Sequence, residues 1–214
     1  MTVSATGSTA CPNCGAPVRF RWAQAVQTTC DFCKSVLVRQ GLDLTRVGTQ
    51  AEFPQTGSPI QLGVEGQWRG KNFVVVGRVT YAWQSGRWNE WHCRLSDGRS
   101  AWLSDAQLEF AMTMQLEKTD GLPDPHTVRV GQKFSWASVT YQVANITPAV
   151  YVGTEGELPF TTSDKAEYWF ADLQNAEGAM ATIDGSETPA LLYVGEYVDF
   201  DALQLKGVRE FEGW

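Results

Sequence analysis

No run in this chain of 214 residues approaches eighteen apolar side chains, so a transmembrane helix is not expected. The first ten residues are rich in Ser, Thr and Gly. With no basic opening and no apolar stretch, they read as a disordered leader over 1–10 and not as a secretory signal. Histidine is scarce. His92 adjoins Cys93 in a predicted strand, where neighbouring side chains point to opposite faces, which argues against a nucleophilic dyad. His126 lies in the Pro-flanked stretch Pro123-Asp124-Pro125-His126. Structural roles are expected for both histidines, and Cys93 reads as a small buried hydrophobe. The nucleophile-elbow, P-loop, dinucleotide and zincin motifs are all missing, so no catalytic residue is nominated and the reading leans away from an enzyme.

A basic stripe is missing too. The net charge is −7, split between a mildly basic first fifty residues and an acidic remainder. Residues 1–50 hold five basic and two acidic groups, and four thiolates around one Zn²⁺ would cancel most of that excess. Nucleic acid is therefore an unfavoured partner, although Arg19, Arg21, Lys34 and Arg39 would be the groups to carry it.

What the chain does contain is cysteine in a telling arrangement. Cys11-Pro-Asn-Cys14 and Cys30-Asp-Phe-Cys33 are two CxxC knuckles fifteen residues apart. The two-residue gap lets both sulfurs of a pair face one ion, and Gly15 suits the positive-φ turn that follows the first knuckle. The spacing points to a structural Zn²⁺ on Cys11, Cys14, Cys30 and Cys33, with iron in a rubredoxin-like S₄ site as the competitor. Four protein thiolates leave no open coordination position. Metal binding in place of disulfides implies a reducing, cytoplasmic setting. A short hairpin through Val18–Trp22 is expected to bring the second knuckle over the first.

Aromatic residues make up 12% of the chain, with nine Trp, which favours β structure. Strands are predicted over Asn72–Tyr81 (with Gly77 a candidate bulge), Trp88–Leu95, Ala101–Leu103, Val128–Val130, Phe134–Val143, Tyr168–Leu173, Ala179–Ile183 and Leu191–Val198. Ser96-Asp97-Gly98-Arg99 is a hairpin turn. Within 107–117 the apolar residues Leu108, Phe110, Met112, Met114 and Leu116 alternate with polar ones, so this segment is a strand despite its helix-favouring composition. The result is an all-β class: an N-terminal zinc ribbon plus one or two antiparallel β barrel or sandwich modules. The domain reading is a ribbon over 11–40, a linker over 41–59, an all-β domain over 60–206 and a tail over 207–214. Gly70-Lys-Asn-Phe73 to Tyr81 echoes Gly131-Gln-Lys-Phe134 to Tyr141, which hints at two modules, about 60–120 and 126–206.

Trp83, Trp88, Trp91 and Trp102 cluster, either as β core or as an exposed binding face. Charge is also patterned. Residues 66–104 carry six basic groups against Glu90 and Asp97, whereas 145–201 carry eleven acidic groups against Lys165 alone. Either the two halves face each other or the acidic half meets a cationic partner.

Gly77-Arg78-Val79-Thr80-Tyr81, Gly86-Arg87-Trp88-Asn89-Glu90-Trp91, Asp97-Gly98 and Trp102-Leu103 resemble the bacterial domain-of-unknown-function family numbered four-one-seven-eight. Its pattern is a Gly-Arg-aliphatic-x-Tyr strand, a Trp-x-Glu-Trp strand and a Gly turn leading into Trp-Leu. Gly156-Glu157-Leu158-Pro159, Asp172-Leu173, Thr182-Ile183-Asp184, Tyr193-Val194-Gly195 and Leu203-Gln204-Leu205 extend the resemblance over roughly 60–206. The resemblance implies an all-β fold, with an N-terminal zinc ribbon as a common companion. It implies no agreed activity, and it associates the chain with bacterial membrane-stress and polyamine-related neighbours.

The first functional expectation is a non-enzymatic cytoplasmic adaptor, a tethered zinc ribbon and a β domain binding another protein. The alternative is a cationic, polyamine-like small molecule held in the acidic second module by several of Glu155, Glu157, Asp164, Glu167 and Asp172.

Overall fold

The computed structural model describes residues 9–41, 43–50, 57–117, 121–136, 138–162 and 166–210. The regular secondary structure of the described chain is strand, with no α-helix and one 3-10 turn at Asp201–Leu203. The N-terminal module contains β1 (Thr9–Ala10), β2 (Pro17–Val18), β3 (Gln27–Thr29), β4 (Ser35–Gln40) and β5 (Asp43–Thr49). The β domain then runs through β6 (Glu65–Trp68), β7 (Lys71–Trp83), β8 (Gly86–Leu95), β9 (Ser100–Ala106) and β10 (Glu109–Gln115). After 121–132 come β11 (Lys133–Trp136), β12 (Val139–Gly156), β13 (Glu167–Gln174), β14 (Ala179–Asp184) and β15 (Leu191–Tyr197).

β6 to β10 form one antiparallel meander and β11 to β15 a second. Two further pairings join them, β10 with β15 and β7 with β12, so that β7–β10 and β12–β15 close into a ring of eight strands. The two meanders are built alike. Gly63 and Gly131 both sit at φ +88°, and their N–H groups donate to Val75 and Val143 O, each at 2.8 Å. The N–H groups of Val75 and Val143 return 2.8 Å bonds to Val64 and Gln132 O. The backbone repeat equates Gly63 with Gly131, and not Gly70 with Gly131 as the sequence echo has it.

Strand alternation divides the side chains between two faces. In the first meander Val75, Trp91, Cys93, Leu95, Ala101, Leu103, Phe110 and Met112 join one core, closed by Ile60, Val64 and Leu203. Val143, Ala171, Leu173, Ala181, Ile183 and Leu192 form the matching core of the second. A third cluster, with Val79, Tyr81, Trp102, Ala149, Leu158 and Phe170, lies between the meanders.

The predicted strand over 107–117 is present as β10, and the bulge expected at Gly77 appears as a register shift between Val75 and Gly77. The Asp97-Gly98 turn closes with the Leu95 N–H donating to Arg99 O at 2.9 Å. Other expectations differ. Val128–Val130 is not a strand, and Phe134–Val143 is broken by a turn at 138 into β11 and the start of β12. No hairpin runs through Val18–Trp22: β2 pairs with β1, and β3 pairs with β4. Nor does the segment 41–59 act wholly as linker, because Asp43–Thr49 pairs antiparallel with β4 and completes the module's sheet. Part of the expected leader, Thr9–Ala10, is a strand, while 1–8, 51–56 and 211–214 lie outside the described residues. The expected tail is docked at its start. The Arg209 N–H donates to Pro59 O at 2.8 Å, and Gln61 Nε2 donates to Gly207 O at 2.9 Å.

Candidate functional site

The two knuckles have the same backbone. Cys11 N–H donates to Ala16 O and Cys30 N–H to Ser35 O, at 2.8 and 2.9 Å. Gly15 N–H returns to Cys11 O and Lys34 N–H to Cys30 O, at 2.8 and 3.0 Å. The fourth residue after each leading cysteine must therefore adopt positive φ: +75° at Gly15, where a missing Cβ makes it easy, and +57° at Lys34. All four sulfurs lie within 4.8 Å of one another, with Cys11–Cys33 at 3.7 Å and Cys14–Cys30 at 3.8 Å.

These separations exclude disulfides, whose sulfurs sit about 2.05 Å apart. They fit a tetrahedron, since ligands at about 2.3 Å from a central ion are about 3.8 Å from each other. The set can hold a metal ion. The charges ask for one: the Asn13 side chain and Ser35 draw the Cys33 thiol down to about 5. At Cys14 a hydrogen bond from the Ala16 backbone favours the thiolate. The sulfurs of Cys33, Cys11 and Cys30, with desolvation, outweigh it and push the thiol up to about 12. Thiolates this close repel unless a cation sits among them.

The module is not a free appendage. Glu157, 3% exposed, accepts the Arg21 and Trp22 N–H groups at 2.5 and 2.7 Å. β3 bridges to the β domain, with Val26 N–H donating to Leu158 O and Leu158 N–H to Gln27 O, both at 2.9 Å. The buried Gln27 amide donates to Thr154 Oγ1 at 3.0 Å and accepts the Thr162 N–H at 2.9 Å. Trp22 meets the His92 ring edge-on at 4.8 Å. His92 contacts Glu157 O through Nδ1 at 2.8 Å. A carbonyl only accepts, so Nδ1 carries the hydrogen and Nε2 accepts from Ser100 Oγ at 2.8 Å. Burial holds this imidazole down to about 4, so it stays neutral. His92 is a structural link, and His126 packs against Trp169 at 4.9 Å. Cys93 is fully buried in the first core.

Among the described residues, the carboxylates of which several were expected to share one pocket do not converge. Glu155 pairs with the buried Arg78 at 3.1 Å, Glu157 holds the module, Glu167 is exposed and Asp164 lies outside the described residues. Asp172 lines the cleft between the meanders, where it accepts Thr182 Oγ1–H at 2.8 Å. The basic and acidic halves do meet, through Arg78–Glu155 and Arg69–Glu196.

A different set of residues converges between the meanders, around a cavity of about 50 Å³. Glu90, Thr113, Asp184 and Tyr193 are among its lining, with Tyr81 and Trp102 as walls. The sequence does not bring these positions together as one site, because the meander-to-meander pairings that join them are long-range.

Residues 61–200 match the family described as a domain of unknown function, DUF4178. The chain belongs to this family. No curated protein and no solved structure matches the chain. The DUF4178 region spans both meanders, and the segments carrying the resemblance do two jobs. Gly77 and Gly156-Glu157-Leu158 make the seat for the N-terminal module, where a Cβ on Gly77 would lie 2.1 Å from Glu157 O. Tyr81, Glu90, Trp102, Asp184 and Tyr193 line the cavity. Among the described residues no helix is long and apolar enough to cross a membrane.

Proposed function

We propose that this DUF4178 protein is a non-enzymatic scaffold: Zn²⁺ on Cys11, Cys14, Cys30 and Cys33 rigidifies the N-terminal module, which presents a docking surface to another protein. The observation that carries the reading is Phe32. It stands between the two cysteines of the second knuckle, 70% exposed, on backbone that the metal would hold still. A large apolar side chain held rigid in solvent is the anchor protein interfaces favour. In the same module β5 forms one edge of the sheet, with Val47 52% exposed, and a sheet edge accepts an added strand. A saturated thiolate site supplies rigidity and no open position for a substrate, which is why zinc here is structural. Thiolate ligands also suit a reducing compartment, in keeping with a cytoplasmic protein.

The test is co-purification from the native host with tagged wild type and Phe32→Ala. One partner recovered in near-stoichiometric amount by wild type, and lost by the variant at unchanged metal content, is the expected result. Equal recovery by both, or a monomer without partner, contradicts it.

A further inference from the structure

The cavity between the meanders combines features that a purely structural interior avoids. Glu90 from β8 and Asp184 from β14 both line it, and among the described residues no basic side chain does. It adjoins a cleft of about 320 Å³ that shares Glu90, Ser104, Phe170 and Thr182 with it and adds Asp172. The one basic side chain of that cleft, Arg87, is exposed. Buried carboxylates are costly unless a cation or several donors compensate them. Here each has few: Glu90 accepts from Ser104 Oγ at 2.7 Å and Trp88 Nε1 at 3.0 Å, and Asp184 accepts the Ser186 N–H at 2.8 Å.

A second observation is independent of the charges. Thr113, 3% exposed, and Tyr81, 9% exposed, line the same cavity with hydroxyls that have no hydrogen-bond partner among the described residues. Thr113 leaves β10 on the side opposite Met112 and Met114, which pack into the first core. Both hydroxyls open onto the cavity without a protein partner among the described residues, so an occupant there can pair with them.

The chemistry of the walls selects its class. Among the described residues only the cysteine quartet brings three or more metal-ligating side chains close enough to share an ion, so Glu90, Asp172 and Asp184 are too dispersed for one metal. Aromatic faces surround the space: Tyr81 stacks on Trp88 at 5.1 Å, and Trp102 stacks on Phe160 at 5.7 Å. Carboxylates beside aromatic rings suit an organic cation, which gains both ion pairing and cation–π attraction. The chamber has room for a head group, and the cleft for a chain.

We propose that this cavity binds a protonated alkylamine, its ammonium group held by Glu90, Asp184 and the Thr113 hydroxyl, and its carbon chain lying along the aromatic walls towards Asp172. The site is separate from the zinc module and does not depend on the scaffold reading above.

The experiment titrates the full-length, metal-loaded protein with n-butylammonium, butan-1-ol and butyrate, followed by tryptophan fluorescence and calorimetry. It is run at about pH 9, where Glu90, which burial pushes up to about 8, is ionised and an amine like that of lysine, pKa about 10.4, keeps its charge. Saturable binding of butylammonium, at least tenfold tighter than butan-1-ol and with no response to butyrate, is expected. Glu90→Gln and Asp184→Asn should each weaken it at least tenfold. Thr113→Val, which removes a hydroxyl without changing side-chain shape, should weaken it with an unchanged melting temperature. No saturation at millimolar amine, equal binding of the alcohol, or undiminished binding by folded Glu90→Gln and Thr113→Val proteins would overturn the proposal.

Discussion

The carboxylate of Glu157 takes two backbone N–H groups from the N-terminal module, while its own carbonyl accepts the Nδ1–H of His92 in the β domain. One residue thereby holds three segments together. Removing its carboxylate leaves the buried Trp22 N–H and the part-buried Arg21 N–H without their acceptor, at about 1–3 kcal/mol for an orphaned buried donor. Glu157→Ala is expected to destabilise the protein by about 2–4 kcal/mol. Amide exchange should speed up at Arg21 and Trp22 before it does in the meanders, and uniform loss across the chain would contradict that role. His92 makes the structure acid-sensitive. Its pKa falls from the ordinary 6.5 to about 4 on folding, so its contribution is complete above 6.5 and is lost as pH drops towards 4. Because Glu90 slopes the other way, the readout is the stability difference between wild type and His92→Gln. That difference should shrink by up to about 3 kcal/mol between pH 6.5 and 4 and stay flat above pH 7. In the sequence Glu157 is one acidic group among eleven in 145–201, and nothing local marks it as a cap for residues 135 positions away.

Elements were legible where the signal is local. The two CxxC spacings foretell the quartet, and strict alternation from Leu108 to Leu116 foretells β10 against its helix-favouring composition. β12 was not legible as one strand. Its eighteen residues include Pro148, Gly153 and Gly156, which read as breaks. In the structure it pairs first with β13 and then with β7, with irregularities at Val143/Asn145 and Tyr151/Gly153 that let one long strand turn between two neighbours. β5 was hidden for a similar reason, since Asp43–Thr49 is largely exposed and lacks apolar alternation. At the crossing of β7 and the end of β12, Gly77 and Gly156 allow backbone to touch backbone. Gly77→Ala would drive a Cβ to 2.1 Å from Glu157 O, and no flexible side chain is there to give way. A loss of about 3 kcal/mol is expected in chemical denaturation. A melt unchanged from wild type would show that the seat for the N-terminal module is softer than the geometry implies.

For the whole molecule, the docked module and the doubled meander make one assembly in which the cysteine quartet's module, its seat and the ring are joined by direct contacts. A tether between independent parts, as the Gly- and Pro-containing stretch 41–59 suggests, would leave the β domain indifferent to the metal. The observed contacts through Trp22, Gln27 and Glu157 join the N-terminal module to the β domain instead. The measurement that tests this account most directly is X-ray absorption at the metal edge of the protein purified without added metal, with metal content determined on the same sample. The account predicts one zinc per chain with four sulfur neighbours at about 2.3 Å, and loss of that shell in Cys14→Ser. Iron in the site, nitrogen or oxygen scatterers in the first shell, or a metal-free protein with unchanged folding would contradict it.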